Sequence, residues 1–364
     1  MAAVSKAYGV NSPVNTSPFY AKQLRRFALA SLLLLFALIL LGSFLMPFGN
    51  MAIISLKNYT DLSSTANGPI LPVTNSVFHY QDADYNLYNV PMPDGTIKQL
   101  ALVKPTRTVS QFIDPNNVSA GLIPWTGNWR GLDAVYVLAP QWSNYPTAWN
   151  DLNFPLVFRN TLVIAIVGMI GTLLSSICVA YAFARFPIPG KNILFVILIG
   201  TIILPSQVTL IPTYIVFSKL GWVNTWLPLI IPHFFANAYN VFLLRQFFMT
   251  LPKALDEAAM IDGANPLQIL IRVIIPQAWP AIIAVSLFHF VFAWNDYFNP
   301  LIYLAGKPEL QPISVAVQQF NYQYGPHPEL VQATSLMALI VPVVMFFFAQ
   351  RVFMRGVVIT GVEK

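Results

Sequence analysis

Charge is scarce in this chain. Its 364 residues carry 20 Lys+Arg and 14 Asp+Glu, 9% charged in all, where an average soluble domain carries roughly 25%. So few charges cannot cover the surface of a soluble protein of this length, which excludes an ordinary cytosolic enzyme. Disorder is excluded for the opposite reason, since 56% of the residues are hydrophobic and the mean hydropathy is +0.61. Cysteine is almost absent. A lone Cys178 rules out an intrachain disulfide framework and a cysteine-rich metal site, and it is expected to be a small buried hydrophobe without redox duty. No phosphate-cradling Gly-x-x-x-x-Gly-Lys-Ser/Thr loop occurs, because Gly190-Lys191 runs into Asn192 and Gly306-Lys307 into Pro308. None of the histidines (His79, His233, His289, His327) pairs at metalloprotease spacing. Catalytic residues, a bound cofactor and a metal are therefore not expected of this chain, nor is nucleic-acid binding.

What is abundant is long apolar sequence. A helix crossing a ~30 Å hydrocarbon core needs ~20 mostly apolar residues, and six stretches qualify: 27–48, 161–184, 192–218, 221–244, 280–305 and 330–350. Pro205 and Pro212 interrupt the third, the fourth carries His233, Asn237 and Asn240, and the fifth carries one acid, Asp296. Basic Lys22, Arg25 and Arg26 precede the first stretch as they would a signal peptide. Its apolar run exceeds the ~7–15 residues of a signal core, and no small-x-small cleavage site follows, so it reads as a retained anchor.

Orientation follows from basic residues in short loops. Lys22, Arg25, Arg26, Arg185, Lys191, Arg245, Lys253 and Arg272 gather on one side, opposed on the other by Arg159, Lys219 and Lys307. The expected fold is thus an all-α polytopic membrane protein of six transmembrane helices, N-in and C-in, in a multi-pass cell-membrane location. Residues 1–26 form an inner tail, 27–48 the first span, 49–157 an outer insertion, and 158–364 the remaining spans with an inner loop at 245–278. The insertion has soluble-domain composition. Strand-like runs at 85–90 and 96–103 flank the turn signal Pro93-Asp94-Gly95, which predicts a small β-containing domain.

The inner loop is the most informative segment. Thr250 is expected to cap a short helix, Pro252 to sit in its first turn, and Gly263 to end it in a left-handed conformation. Asn265-Pro266 then restarts a helix that Pro276 and Pro280 close. The predicted helix–turn–helix offers small Ala258 and Ala259 beside the acids Asp256, Glu257 and Asp262.

The order Glu257-Ala258-Ala259, Gly263, Ile274-Ile275-Pro276 resembles the EAA signature of binding-protein-dependent ABC-importer permeases. Further motifs recur in the same order: Ala180-Tyr181-Ala182-Phe183-Ala184-Arg185, Leu204-Pro205, Ile211-Pro212-Thr213-Tyr214, Trp294-Asn295-Asp296-Tyr297, and the ending Gly361-Val362-Glu363-Lys364. They cover about 148–364 and resemble the carbohydrate-type permeases, of the maltose G-subunit kind. The resemblance implies that the loop is a coupling helix docking on a separate ATPase, with Asp256, Glu257, Ala258, Ala259, Asp262 and Gly263 as its residues. It also implies a homologous second permease chain, two ABC ATPase subunits that bind the ATP and magnesium, an extracytoplasmic solute-binding protein, and a prokaryotic cell. Two features depart from that pattern: the family's first outer loop is usually short, and its tail commonly reads Gly-Ala-Val-Lys-Gly.

Polar residues inside the spans face protein or a wet cavity, because exposure to lipid costs several kcal/mol. His233, Asn237 and Asn240 at i, i+4 and i+7, and Ser286, His289 and Asp296 at i, i+3 and i+10, are expected to form two one-sided stripes. With Trp294 and Asn295 they are the candidates for a translocation path, while interhelical hydrogen bonding explains them equally well for the fourth span. Gly168, Thr172 and Ser175 fit helix packing. A sugar importer subunit is the leading reading. An ion- or proton-coupled secondary transporter, using Asp296 as coupling group, is the alternative, and a third is an intramembrane enzyme built on His289 with Asp296.

Overall fold

The computed structural model describes residues 18–59, 62, 69–322 and 326–359, with side chains from 351 onward left aside. The tail motif Gly361-Val362-Glu363-Lys364 and most of the inner tail 1–26 lie outside the described residues. The chain divides into two units, Met1–Ala52 and Ile53–Lys364. The first is the bulk of α1 (Pro18–Ser55). Its Phe- and Leu-rich residues from 22 to 50 are all exposed, and Pro47 lies inside it.

The second unit opens on a β region. Five antiparallel strands run in sequence order: β2 (Val77–Tyr80), β3 (Ala83–Pro91), β4 (Ile97–Lys104), β5 (Val109–Ile113) and β6 (Ile123–Thr126). The β3–β4 hairpin turns on Pro93-Asp94-Gly95, as its turn chemistry predicts. Gly95 takes φ +81°, the Thr96 amide and hydroxyl both donate to Asp94 Oδ1, and those bonds hold the Asp94 carboxyl below the usual range. Val90, Leu100, Leu102 and Phe112 form a small core that Trp125 and Trp129 cover. Before and after this sheet, β1 (Val73–Asn75) pairs with β8 (Tyr136–Leu138) and closes the insertion at its base, while β7 (Asp133–Ala134) adds to β3. Trp142 stands 65% exposed outside that core.

The rest is helical. After α2 (Asn144–Asp151) come α3 (Phe154–Arg185), α4 (Lys191–Gly200), α5 (Ser206–Lys219), α6 (Ala238–Thr250), α7 (Lys253–Ile261), α8 (Pro266–Ile269), α9 (Trp279–Asn295), α10 (Phe298–Tyr303) and α11 (Pro328–Ile359). Among the described residues, four stretches are long and apolar enough to cross a membrane: Lys22–Ser55, Phe154–Arg185, Leu227–Thr250 and Pro328–Gln350. Two further pairs qualify only if each bent pair counts as one span.

The first of those bends falls at one of the two prolines that interrupt the third stretch. Residues 192–218 break at Leu204-Pro205 into pieces inclined by 98°, because Pro205 lacks the N–H that a continuous helix needs. The segment 280–305 ends as a helix at Asn295, since Asp296 leaves it at ψ 115°. The helix before α9 runs through a π turn at Leu270–Ile274 to Gln277 and meets α9 at 82° across Ala278, so it closes between Pro276 and Pro280 as expected.

α3 is the central strut and packs against both α6 and α9. One core gathers Phe154, Phe290, Trp294, Phe320 and Leu330; a second gathers Tyr181, Leu244, Phe248, Ile269 and Ile274 around the far end of α3. Cys178 is exposed, on the outward stripe of α3 with Ile166, Ile170 and Leu174, which corrects its expected burial. The helix is apolar all round, so its sequence does not mark which face turns inward.

Candidate functional site

Two features of the helical part carry chemistry. The first is the α7–turn–α8 element. α7 begins after Pro252, whose extended backbone (ψ 131°) takes the cap position expected of Thr250. Thr250 instead ends α6, with its hydroxyl donating to the Phe247 carbonyl. Gly263 adopts φ +79°, and no atom lies within 4 Å of a Cβ added there, so conformation alone demands glycine. Asn265 caps α8 in a reciprocal box: its side chain accepts from the Gln268 amide at 2.9 Å, while Gln268 Oε1 accepts from the Asn265 amide at 2.9 Å.

The acids of this element play different parts. Glu257 and Asp262 are exposed, as are Ala258 and Gly263, and Ala259 is half-buried. Asp256 is not on the surface. Its Oδ2 lies 2.7 Å from Arg185 Nε, and the two side chains are 8% and 7% exposed. Burial pushes the Asp256 carboxyl above its ordinary range, and the Arg185 guanidinium draws it back. Arg185 also donates from Nη2 to the Leu251 carbonyl at 3.0 Å. A cation at the end of α3 therefore grips both the start of α7 and the residue before Pro252. Around this anchor the element exposes an apolar edge, Met260 at 57%, Ile261 at 87% and Leu267 at 63%.

The second feature is a cavity of about 280 Å³ between the start of α6 and the middle of α9. His233, Asn237, Asn240 and His289 all line it, though not as stripes on two regular helices. His233 sits in a 3-10 turn (Ile231–Phe234), and Asn237 is the cap of α6, its Oδ1 accepting from the Tyr239 and Asn240 amides at 3.0 and 3.3 Å. The break between those two elements re-aims His233 toward His289, and their rings meet edge to face at 4.5 Å. His289 Nδ1 lies 3.0 Å from Thr172 Oγ1. Gly168 of α3 gives both imidazoles room, because a Cβ there would stand 2.9 Å from His289 Nε2 and 3.2 Å from His233 Cδ2. Ser175 donates to the His233 carbonyl at 3.2 Å. Gly168, Thr172 and Ser175 thus hold the cavity wall from behind.

The other path candidates lie elsewhere. The Ser286 hydroxyl turns into its own helix and donates to the Ile282 carbonyl at 2.8 Å. Trp294 is buried and stacks on Phe290, while Asn295 donates to Val291. Both border a second, mixed cleft of about 320 Å³ with Ser314, Gln318 and Ser335. Asp296 has left the helix and accepts from the Asn299 amide and side chain at 3.3 and 2.9 Å. It is bonded to Asn299 in the first turn of α10, whose N-cap is Tyr297, and among the described residues no hydrogen bond links it to His289, so the candidate enzyme pair is not in contact. Sequence reasoning missed Arg185 as the partner of Asp256. It also missed the aromatic walls of the cavity, Tyr239, Phe288 and Phe292.

Apolar helices of spanning length around cavities with polar groups in their walls, with an anchored short helix pair beside them, define a polytopic transport protein. Residues 176–358 match the family described as the inner membrane component of binding-protein-dependent transport systems. The osmoprotective compounds uptake permease GgtD of Synechocystis is 32% identical over 244 residues, covering 66% of this chain and 80% of GgtD. The alpha-glucoside transport permease AglG of Rhizobium meliloti is 26% identical, covering 60% of each. A bacterial ABC transporter that imports the acidic polysaccharide alginate shares the fold, with a TM-score of 0.63 at 20% identity over 92% of this chain and 99% of that one. The chain belongs to the family of inner membrane components of binding-protein-dependent transport systems, the permeases of ABC transporters.

Proposed function

We propose that this chain is a permease subunit of an ABC importer for sugars, coupled to a separate ATPase through α7 and α8. The observation that carries the coupling is the contrast within that element. Asp256 is locked to Arg185, whereas Met260, Ile261, Leu267, Glu257 and Asp262 face outward. An exposed apolar edge with a charged rim suits a second protein better than water. The relatives' sugar and osmoprotectant substrates support the substrate class.

In this reading each bent pair is one span, which makes six, N-in and C-in. α7 and α8 then face the cytoplasm, and the β region lies outside, near a solute-binding protein. The chain pairs with a homologous permease over two ATPase subunits, which hold the ATP and magnesium. ATP and the loaded binding protein both bias the same two-state equilibrium of the spans. α3 connects the two ends of that machine, since it carries Arg185 at one end and backs the cavity with Gly168 and Thr172. A proton-coupled secondary transporter gains no support from Asp296, whose carboxylate is taken up by Asn299 of α10. Proteoliposomes containing the permease pair should take up a sugar only when the ATPase, ATP and the binding protein are all present. Uptake driven by an ion gradient without the ATPase would refute the reading.

A further inference from the structure

We propose that the cavity between α6 and α9 is a subsite of this chain for one uncharged sugar or polyol ring. The inference rests on the importer reading and adds to it a place and a charge class. Asn240 forms the floor. It is 8% exposed, and among the described residues no hydrogen bond reaches its side chain. A carboxamide more than nine-tenths buried without a protein partner is costly unless water or a ligand satisfies it. Asn237 at the rim spends its oxygen on the two α6 amides, which leaves its NH₂ as a donor toward the cavity.

The walls are apolar and accessible: Tyr239 is 48% exposed, Phe288 47% and Phe292 57%. A pyranose or polyol presents C–H faces that suit aromatic rings and hydroxyl edges that both accept from and donate to amides. Among the described residues, no acid, lysine or arginine lines the cavity. A carboxylate or phosphate would enter without a counter-charge, and burying an unpaired charge is strongly unfavourable. At about 280 Å³ the space falls just below the ~300–1,000 Å³ of drug-sized ligand sites. One ring fits and a chain of rings passes singly. The wall is preset before any ligand arrives, because Gly168 and Thr172 fix His289 from behind.

The lone Cys178 makes a direct test practical. In the assembled transporter in proteoliposomes, Cys178→Ser and Phe292→Cys place a single thiol on the cavity wall. Its reaction with a maleimide is timed with maltose, trehalose, sucrose or glycerol, and with glucuronate or sn-glycerol 3-phosphate. Uptake of each compound is measured on the same vesicles. Neutral compounds that are taken up should slow labelling, and the anions should not. Asn240→Leu should raise the half-protecting concentration about five- to tenfold, and Phe288→Ala, a second variant should the first not assemble, should shift it the same way. Labelling unchanged by a neutral sugar that the vesicles take up overturns the subsite and leaves the importer standing. Protection by the anions overturns the charge class. Absence of ATPase-dependent uptake of any sugar overturns the importer reading and the subsite with it.

Discussion

Arg185 Nε and Asp256 Oδ2 stand 2.7 Å apart and nearly out of solvent, joining the last turn of α3 to the first turn of α7. The contact is an ion pair by distance rather than an aligned hydrogen bond. It fastens a short helix, which could not hold its place alone, to the central strut of the second unit's core.

That anchor sets the first expectation. Asp256→Ala leaves Arg185 buried without a counter-charge, a loss of about 3–5 kcal/mol. Thermal unfolding of the purified complex should drop, and transport should fall with it. The double variant Arg185→Met/Asp256→Leu removes both charges and should recover much of the stability. Recovery of stability without recovery of transport assigns the pair a role in coupling as well as in folding.

Gly168 sets the second. Gly168→Ala puts a methyl 2.9 Å from His289 Nε2 and 3.2 Å from His233 Cδ2. One of the rings must shift into the cavity, at a cost of about 1–3 kcal/mol for overpacking. Uptake should fall several-fold while ATPase assembly is kept. Unchanged uptake at normal abundance separates the cavity from the path.

Topology is checked by accessibility in a Cys178→Ser background. A cysteine at Asp94, in the β3–β4 turn, should react with an impermeant thiol reagent in intact cells. One at Met260 should react only after permeabilisation. Reaction of the Met260 position from outside would invert the orientation.

The β insertion gives the fourth expectation. β1 and β8 pair at its base, with Val73 opposite Leu138, so replacing residues 74–137 by a short linker removes the sheet and keeps its attachment points close. Spans and assembly should survive, whereas stimulation of ATP hydrolysis by the binding protein should weaken. Normal stimulation by the shortened chain would free the insertion from that role.

Local chemistry made part of this protein legible in its sequence. Gly263 followed by Asn265-Pro266 specifies a stop and a restart within four positions, and Pro93-Asp94-Gly95 specifies a hairpin; both turns form as read. What stayed hidden depends on distant residues or on the chain's uniform composition. Arg185 and Asp256 are 71 positions apart and meet only through the tertiary fold, so no local pattern links them. With 27 Phe and 15 Tyr in the chain, a cavity wall such as Phe288 looks like any lipid-facing aromatic. Spacing groups the polar residues of the fourth stretch on one helical face, whereas a 3-10 turn and a helix cap bring His233 and Asn237 to one cavity. Asp296 looked like a member of a helical face because a sequence period cannot register where a helix ends.

The account stands or falls on α7 and α8 as the seat of the ATPase. Co-purification of the ATPase with the permease tests this directly, using Ile261→Asp and Glu257→Lys, both at exposed positions, and Gly263→Val, whose β-branched side chain is strained at φ +79° by roughly 1 kcal/mol or more. None of these changes touches a spanning helix, so membrane abundance should be normal. The account predicts loss of the ATPase from Ile261→Asp and Glu257→Lys permeases, and a loosened, transport-deficient complex for Gly263→Val. Full retention of the ATPase with wild-type uptake in all three would contradict it.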